Sequence, residues 1–389
     1  MNKPVGRDFR APPTIHVGQG ALYQLAPTLQ TLGGKRAVII TDRVMADSKW
    51  ISRLEILAAE AQVTTRVIGE LQGEPTTRDV DAALEMIETF RADVVIGFGG
   101  GSALDTAKVA AMLRTNGGTT ADYEGYDQIR AAGTPVVAVP TTAGTGSEVT
   151  RGAAITDELR DVKMLLMSPH LIPAVAIVDP EPTQTMPPGV TASTGLDALT
   201  HGIEAYVSRQ RYALTDALAI DAIARIRRAL PRVYAQPDDI EAREEMSVAS
   251  LHAGLAFNNA SVALVHGMSR PIGAYFHVPH GLSNAMLLPT VMAFSISGNL
   301  SRYARVAQAL GAVIDDNAVA AEASVRIVRD LATELEVPTL REWGVNEHGF
   351  RQVMSKMAHD AIDSGSPANN PRTASHEEIV ALYEEVISA

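Results

Sequence analysis

The hydrophobic pattern of the first half alternates short apolar runs with segments of helical spacing. The runs Arg36–Thr41, Asp93–Phe98 and Pro135–Val139 are rich in valine and isoleucine, as expected of strands buried on both faces of a parallel sheet. Between the first two, Thr77–Phe90 repeats apolar residues three and four positions apart, which predicts a helix. Strands that alternate with helices predict a doubly wound parallel sheet with helices on both faces.

The pattern changes near residue 180, where the proline-rich segment 180–188 (PEPTQTMPP) interrupts it and only helical periodicity follows. Helices are predicted at Leu196–Val207, Ala213–Leu230 and Ile240–Val265. The segment Asp363–Arg372 (DSGSPANNPR) is predicted to be an irregular loop. We therefore predict an α/β N-terminal domain with a Rossmann-like parallel sheet over residues 1–183. An all-helical domain is predicted over residues 184–389.

Composition narrows the classes of protein to consider. With 389 residues, 46% of them hydrophobic, the chain can bury a core large enough for two domains. A net charge of -12 without any basic block argues against a nucleic-acid partner. Because there is no cysteine, a bound metal must use histidine and carboxylate ligands. The first residues lack the apolar run of a signal peptide, and no segment approaches the roughly 18 apolar residues of a membrane helix, so we expect a cytoplasmic protein without membrane contact.

A glycine-rich turn, Gly99–Ser102, directly follows one predicted strand and precedes a helical segment. Backbone amides and the helix N-terminus at such a turn can face a pyrophosphate, and glycine allows its close approach. The match to the dinucleotide fingerprint is incomplete, because serine stands where the third glycine is expected and the lysine of a P-loop is absent. A tight turn without a ligand is the alternative interpretation.

Two further features favour a dinucleotide. The loop Thr141–Glu148 (TTAGTGSE) supplies small hydroxyl and glycine residues after the next strand. Asp42 lies just past the first predicted strand, where a carboxylate accepts hydrogen bonds from a ribose 2'-hydroxyl and repels a 2'-phosphate, which favours NAD over NADP. A solvated turn aspartate is the alternative. Asp42 precedes the glycine turn in the chain, so the connectivity differs from the usual dinucleotide order.

A carboxylate and three histidines are candidate metal ligands. Asp197 and His201 lie one helical turn apart, on a face of the predicted helix away from its apolar stripe. His266 ends a long apolar run, and His280 follows another. A surface pair and satisfied core histidines are the alternatives. Taken together, one oxygen and three nitrogen ligands suit a divalent transition metal such as Fe(II) or Zn(II).

Five segments carry a resemblance to a known family over nearly the whole chain. They are GGGSALDTAK from residue 99, PTTAGTGSEVT from 140, DPEPTQTMPP from 179, TASTGLDALTHGIEAYVS from 191 and HGMSRPIGAYFHVPHGLSNAMLLP from 266. In their order and their amino-acid sequences, these segments resemble the iron-containing (group III) alcohol dehydrogenases. The resemblance implies an NAD-binding α/β domain, a helical metal-binding domain and an active site in the cleft between them.

The resemblance also implies roles for individual residues. The implied metal ligands, for Fe(II) first and Zn(II) or Mn(II) as alternatives, are Asp197, His201, His266 and His280. The implied cofactor residues are Asp42, Gly99, Gly100, Gly101, Ser102, Asp105, Thr141, Thr142, Thr145 and Lys163. The implied activity is that of an NAD(H)-linked alcohol dehydrogenase or aldehyde reductase acting on a small primary alcohol. A homo-oligomer, a dimer, is expected on the same ground.

Two departures from the family pattern bear on substrate and proton transfer. Arg270 stands where several relatives have a histidine, and we hypothesise that it faces the cleft and favours an ω-hydroxy acid such as 4-hydroxybutyrate. The alternative is a salt bridge at the domain interface. His277, three residues before the last ligand, is a candidate proton relay. Phe257 and Arg151 are assigned to the substrate pocket, with core packing as the alternative for Phe257.

Other functions on the same fold plan stay open at this point. Glycerol dehydrogenases, maleylacetate reductases and dehydroquinate synthases are related enzymes whose metal sites differ from the ligand set of this chain. A non-catalytic NAD-binding protein is a rival of another class. The complete ligand set favours the alcohol dehydrogenase over each of them.

Overall fold

The computed structural model describes residues 6–160 and 162–389. Its strands are β1 (Thr14–Val17), β2 (Arg36–Asp42), β3 (Thr64–Leu71), β4 (Val94–Gly99), β5 (Gly125–Tyr126), β6 (Val136–Pro140), β7 (Gly152–Asp157), β8 (Val162–Met167) and β9 (Val175–Val178). Its helices in the first half are α1 (Leu25–Thr31), α2 (Arg43–Ala46), α3 (Lys49–Glu60), α4 (Thr77–Thr89) and α5 (Gly101–Asn116). Those of the second half are α6 (Pro188–Val207), α7 (Ala213–Ala235), α8 (Ile240–Ala260), α9 (Leu264–Phe276), α10 (His280–Ser295), α11 (Leu300–Ala309), α12 (Asn317–Glu334), α13 (Glu347–Asp363) and α14 (His376–Ser388).

A six-stranded parallel sheet forms the N-terminal half, in the order β1-β9-β6-β4-β2-β3. The three predicted strands correspond to β2, β4 and β6, three of the four inner strands, and every residue of β4 and β6 is buried. Helices α1 and α3 pack on one face of the sheet, and α4 and α5 on the other. The predicted fold class is confirmed. The edge strands β1 and β3 were not predicted because exposed and half-exposed residues interrupt their apolar pattern. The fourth inner strand, β9, was also missed, although all four of its residues are buried.

A second, three-stranded sheet was not predicted from the sequence. Its order is β5-β8-β7, and β7 pairs with β8 in antiparallel register. Buried and half-buried residues alternate along β7, as in a sheet with one face on the core. This sheet packs against α5 and contributes residues of β7 and β8 to the wall of a large cavity.

The second half is helical, as predicted. Helices α7, α8 and α10 pack around α6 and bury it on almost every side. The apolar stripe of α6 lies in the helical core, and its two predicted ligands lie on the side that faces a cavity. Asp197 and His201 are only 2% and 4% exposed, which excludes the alternative of a surface pair.

The predicted helix Ile240–Val265 is wrong, because the chain breaks between α8 and α9, which are bent by 102°. Ser261 adopts a left-handed conformation with φ of 64°. The carboxylate of Glu204 accepts hydrogen bonds from the backbone N–H groups of Ala263 and Val265 at 2.8 and 2.6 Å. It thereby satisfies donors that a helix start leaves without intrahelical partners. The apolar pattern runs through the break, so periodicity alone does not reveal it.

Within residues 6–160 and 162–389, no single helix is long and apolar enough to cross a bilayer. The α8–α9 pair meets the criteria of length and composition only when its two bent members are taken together.

Candidate active site

A cavity of about 280 Å³ lies at the carboxyl ends of β4 and β6, between the parallel sheet and the helical half. This is the edge at which open α/β sheets bind ligands. The predicted residues that line it are Gly101, Ser102, Asp105, Thr145, Arg151, Lys163, Asp197, His201, Phe257, His266, Arg270 and His280. Residues expected to serve a cofactor, a metal and a substrate therefore meet in one cavity.

Six predicted residues lie outside this lining: Asp42, Gly99, Gly100, Thr141, Thr142 and His277. Gly99 has φ of 156°, and a Cβ there would lie 2.7 Å from the Cβ of Ala103 and 3.2 Å from Oδ2 of Asp42. Asp42 comes so close because β2 is the direct neighbour of β4. The aspartate strand thus lies beside the glycine strand despite the unusual chain order. The Oδ1 atom of Asp42 also caps α2 by accepting from the N–H of Met45 at 3.0 Å.

The two predicted cofactor loops are in direct contact. A Cβ on Gly101 would lie 3.0 Å from Cγ2 of Thr145, and one on Gly100 would lie 3.3 Å from Cγ2 of Thr142. Thr141 donates its backbone N–H to the carbonyl of the last residue of β4 at 2.9 Å. Larger side chains at the two glycines would push the loops apart, so packing favours glycine at both positions.

Asp105 is bonded within the protein on both of its oxygens. Oδ1 accepts from the Ser147 hydroxyl at 2.5 Å and lies 3.1 Å from Nζ of Lys108, and Oδ2 accepts from the N–H of Ala154 at 2.9 Å. Lys108 is buried and also donates to the carbonyl oxygens of Ser147 and Gly152. Asp105 therefore joins α5 to the loop Thr141–Glu148 and to β7. Both of its oxygens have partners within the protein.

Two basic residues line the cavity beside the cofactor loops. Lys163 is ion-paired with Glu74, whose Oε2 lies 2.6 Å from Nζ. Arg151 has no carboxylate partner among the described residues, and its Nε is buried without a hydrogen-bond acceptor. Its backbone N–H donates to Oδ1 of Asn258 on α8 at 2.9 Å, which ties the small sheet to the helical half.

Three of the four predicted metal ligands form a tight buried group. The ligand atoms of Asp197, His201 and His266 all lie within 4.8 Å of one another. Oδ1 of Asp197 is 3.9 Å from Nε2 of His201 and 3.8 Å from Nε2 of His266. His280, the first residue of α10, lies outside this group, with its ring centroid 5.3 Å from that of His266. Helices α6, α9 and α10 thus deliver all four residues to one end of the cavity.

The three imidazoles are held as neutral bases. Burial lowers the pKa of His201 and of His266 to about 4, and burial lowers the pKa of His280 well below its usual range, with Lys163 contributing. Nδ1 of His201 lies 3.3 Å from the carbonyl oxygen of Gly144. Each neutral ring that donates through Nδ1 keeps a lone pair on Nε2, the form that ligates a cation. The donor set therefore fits a divalent metal.

Glu204 is a residue that sequence reasoning missed. It is buried one turn after His201, and its Oε2 lies 2.6 Å from Nδ1 of His266. Burial raises the pKa of Glu204 to about 7, although the backbone donors of Ala263 and Val265 oppose this shift. A carboxylate that accepts from Nδ1 fixes the tautomer of a ligating histidine. Its signal in the sequence is a third ionisable residue on the helix that carries Asp197 and His201.

The remaining predicted residues have different surroundings. Phe257 stacks on His201 with ring centroids 4.1 Å apart, so it belongs to the cavity wall. Nη1 of Arg270 donates to Oγ of Ser366 at 3.0 Å, and no carboxylate of the described residues pairs with it. His277 is exposed at the end of α9 with φ of 53°. His277 is not among the residues that line the cavity, so its relay role stays a prediction without geometric support.

Comparisons with known proteins identify the same family over nearly the whole chain. The family model described as "Iron-containing alcohol dehydrogenase" matches residues 12–180, and "Fe-containing alcohol dehydrogenase family, C-terminal" matches residues 191–387. An NAD-dependent methanol dehydrogenase of Bacillus methanolicus is 35% identical over 383 residues, which are 98% of this chain and 100% of that protein.

Solved structures show the same relationship. A 1,3-propanediol oxidoreductase superposes with a TM-score of 0.95 at 33% identity and covers 98% of this chain and 100% of its own. A sulfoacetaldehyde reductase from Bifidobacterium kashiwanohense, in complex with NAD+, gives a TM-score of 0.88 at 28% identity, with 99% of this chain and 100% of that chain covered. The chain belongs to the iron-containing alcohol dehydrogenase family and is an oxidoreductase.

Proposed function

We propose that the protein is a divalent-metal-dependent, NAD(H)-linked alcohol dehydrogenase that interconverts a small primary alcohol and its aldehyde. One observation carries this proposal: a single cavity joins the Asp197–His201–His266 group to the glycine turn and the loop that contains Thr145. Hydride transfer needs the alcohol carbon and the nicotinamide held together, and such a cavity provides both binding sites. A cytoplasmic location and a dimeric assembly stay predictions.

The chemical roles follow from the donor set and the cavity wall. Asp197, His201, His266 and His280 would hold the cation, which supplies Lewis-acid polarisation of the alcohol or carbonyl oxygen. One oxygen and three nitrogen donors suit Fe(II) first, with Zn(II) or Mn(II) as alternatives. The ring of Phe257 covers His201 and excludes water from that side. The position of Asp42 beside the glycine turn supports a preference for NAD over NADP.

The first test restores the activity of metal-stripped protein. We expect no turnover until Fe(II), Zn(II) or Mn(II) is added, followed by NADH formation with small primary alcohols and a weaker response to NADP. Absorbance at the nicotinamide band measures both. Turnover that is equal with and without chelator would contradict metal dependence, and NADH binding without turnover under any cation would favour a non-catalytic protein.

We further propose that the substrate carries a remote carboxylate, as in 4-hydroxybutyrate. Arg270 lines the cavity and, among the described residues, has a neutral hydroxyl as its partner, so its charge is left for a ligand. Guanidinium binds carboxylates through paired, charge-assisted hydrogen bonds. The sulfoacetaldehyde reductase with the same fold is named for an aldehyde that carries a sulfonate. An anionic substrate is therefore compatible with this architecture.

Replacing Arg270 by alanine tests the substrate proposal. Loss of a hydrogen bond to a charged group costs about 1.5–3 kcal/mol, so we expect kcat/KM for 4-hydroxybutyrate to fall roughly ten- to a hundredfold. The value for 1-butanol is the internal control and should change little, and Arg270→Lys should retain part of the preference for the acid. Equal losses for the acid and the plain alcohol would contradict the proposal.

A further inference from the structure

Asn284 lies among the predicted metal ligands, one helical turn after His280 on α10. It is fully buried. Its Nδ2 atom is 2.7 Å from Oδ1 of Asp197, 3.2 Å from Nε2 of His266 and 3.3 Å from Nε2 of His280. A single side-chain amide therefore contacts three of the four residues assigned to the cation.

The orientation of this amide leaves one of its atoms unsatisfied. Oδ1 of Asn284 is buried and has no hydrogen-bond partner among the described residues. Buried polar atoms are normally satisfied, so an orphaned oxygen calls for a reason. Exchanging the amide oxygen and nitrogen would place a carbonyl oxygen 2.7 Å from the carboxylate oxygen of Asp197, where two acceptors repel each other. The contact with Asp197 thus fixes the orientation of the amide and leaves its Oδ1 without a hydrogen-bond partner.

The second N–H of the amide has its own role. Because Nδ1 of His266 faces Glu204, Nε2 of that ring carries a lone pair that needs a donor or a cation. Nδ2 of Asn284 is within reach of this lone pair and of Nε2 of His280. Before a cation binds, the amide therefore compensates the buried acceptors of Asp197 and His266.

We propose that Asn284 is a positioning residue of the cation site. Its N–H donation to Oδ1 fixes the orientation of the Asp197 carboxylate, and its place between His266 and His280 keeps the ligands assembled for the cation. This inference rests on the proposed metal-dependent function, because it concerns the affinity and geometry of the same site. It assigns no chemical step to Asn284.

The test compares Asn284→Leu, which keeps a similar size without the donor, with Asn370→Leu as a matched control. Asn370 is also buried, and it donates to Oγ of Ser295 and to the carbonyl of Arg372, away from the cavity. Zn(II) affinity is measured by competition with a chelating dye, and site geometry by the visible absorption of the Co(II) form. We expect roughly ten- to a hundredfold weaker Zn(II) binding and shifted Co(II) bands for Asn284→Leu, with neither change in the control.

Each outcome decides the question. Wild-type affinity and an unchanged Co(II) spectrum in Asn284→Leu would overturn the inference, and so would an equal loss in the Asn370 control. Should Asn284→Leu fail to fold, Asn284→Ser serves instead, because its shorter hydroxyl does not reach Asp197 and the same loss is expected. A wild-type protein that binds neither Zn(II) nor Co(II) would contradict the metal-dependent function itself, which separates that failure from this one.

Discussion

The His266→Ala enzyme is expected to lose its bound cation and roughly a thousandfold in kcat/KM for alcohol oxidation. Lewis-acid stabilisation contributes several kcal/mol to the transition state, and each 1.36 kcal/mol corresponds to a factor of ten in rate. His266 is 2% exposed and supplies a lone pair 3.8 Å from Oδ1 of Asp197, so no solvent-exposed group can replace it. The remaining donors leave an incomplete site. Metal content and NADH formation measure the two losses.

A matched histidine variant separates this effect from a general loss of fold. His348 is exposed on α13, and its ring contacts only the side chain of Gln352 among the described hydrogen bonds. His348→Ala should therefore keep wild-type metal content and turnover. NADH binding, followed by fluorescence, should persist in both variants, because the glycine turn is untouched. Full activity in a His266→Ala protein without metal would contradict the assignment of the cation site.

Glu204→Gln is expected to weaken cation binding roughly ten- to a hundredfold and to destabilise the fold by about 1.5–3 kcal/mol. The Glu204 carboxylate accepts from the N–H groups of Ala263 and Val265 and faces Nδ1 of His266. A glutamine has one acceptor oxygen and an NH2 group, so it cannot accept from all three. If its NH2 faces Nδ1, the ring must carry its proton on Nε2, and the lone pair for the cation is lost.

Two measurements distinguish these consequences. Denaturant unfolding of the metal-free protein reports the loss of stability, and competition with a chelating dye reports the loss of cation affinity. Glu148→Gln is the control for removing a buried carboxylate. Glu148 is 2% exposed, and burial raises its pKa to about 7, but it makes no hydrogen bond to the described histidines. Equal cation affinity in Glu204→Gln and wild type would contradict the proposed control of the His266 tautomer.

Local sequence patterns were sufficient to predict much of the architecture. Three of the four inner strands, β2, β4 and β6, are buried on both faces, so their sequences are continuous apolar runs that can be recognised without tertiary information. The glycine turn is recognisable because Gly99 has a positive φ and close packing against a neighbouring loop favours glycine at the next two positions. The residue types of the metal group are recognisable because a chain without cysteine has few ways to bind a transition metal.

Predictions failed where a distant contact overrides the local pattern. The break after α8 depends on Glu204, which is 59 positions away in the chain from its backbone partner Ala263. The relay role of His277 stays a prediction, and the end of α9 places this residue on the surface. The hairpin of β7 and β8 was missed because its residues alternate between buried and half-buried. Which of them are buried depends on the core against which the hairpin packs.

The sequence by itself determined the parallel sheet, the helical second half, the glycine turn and the identity of the candidate ligands, because these depend on short-range periodicity and on side-chain chemistry. Only the tertiary structure decided which groups orient the ligands. Asn284 reaches Asp197 across 87 positions of the chain, and Glu204 reaches His266 across 62. Hydrogen-bond geometry between helices depends on how α6, α9 and α10 pack, and periodicity along one helix carries no information about that packing.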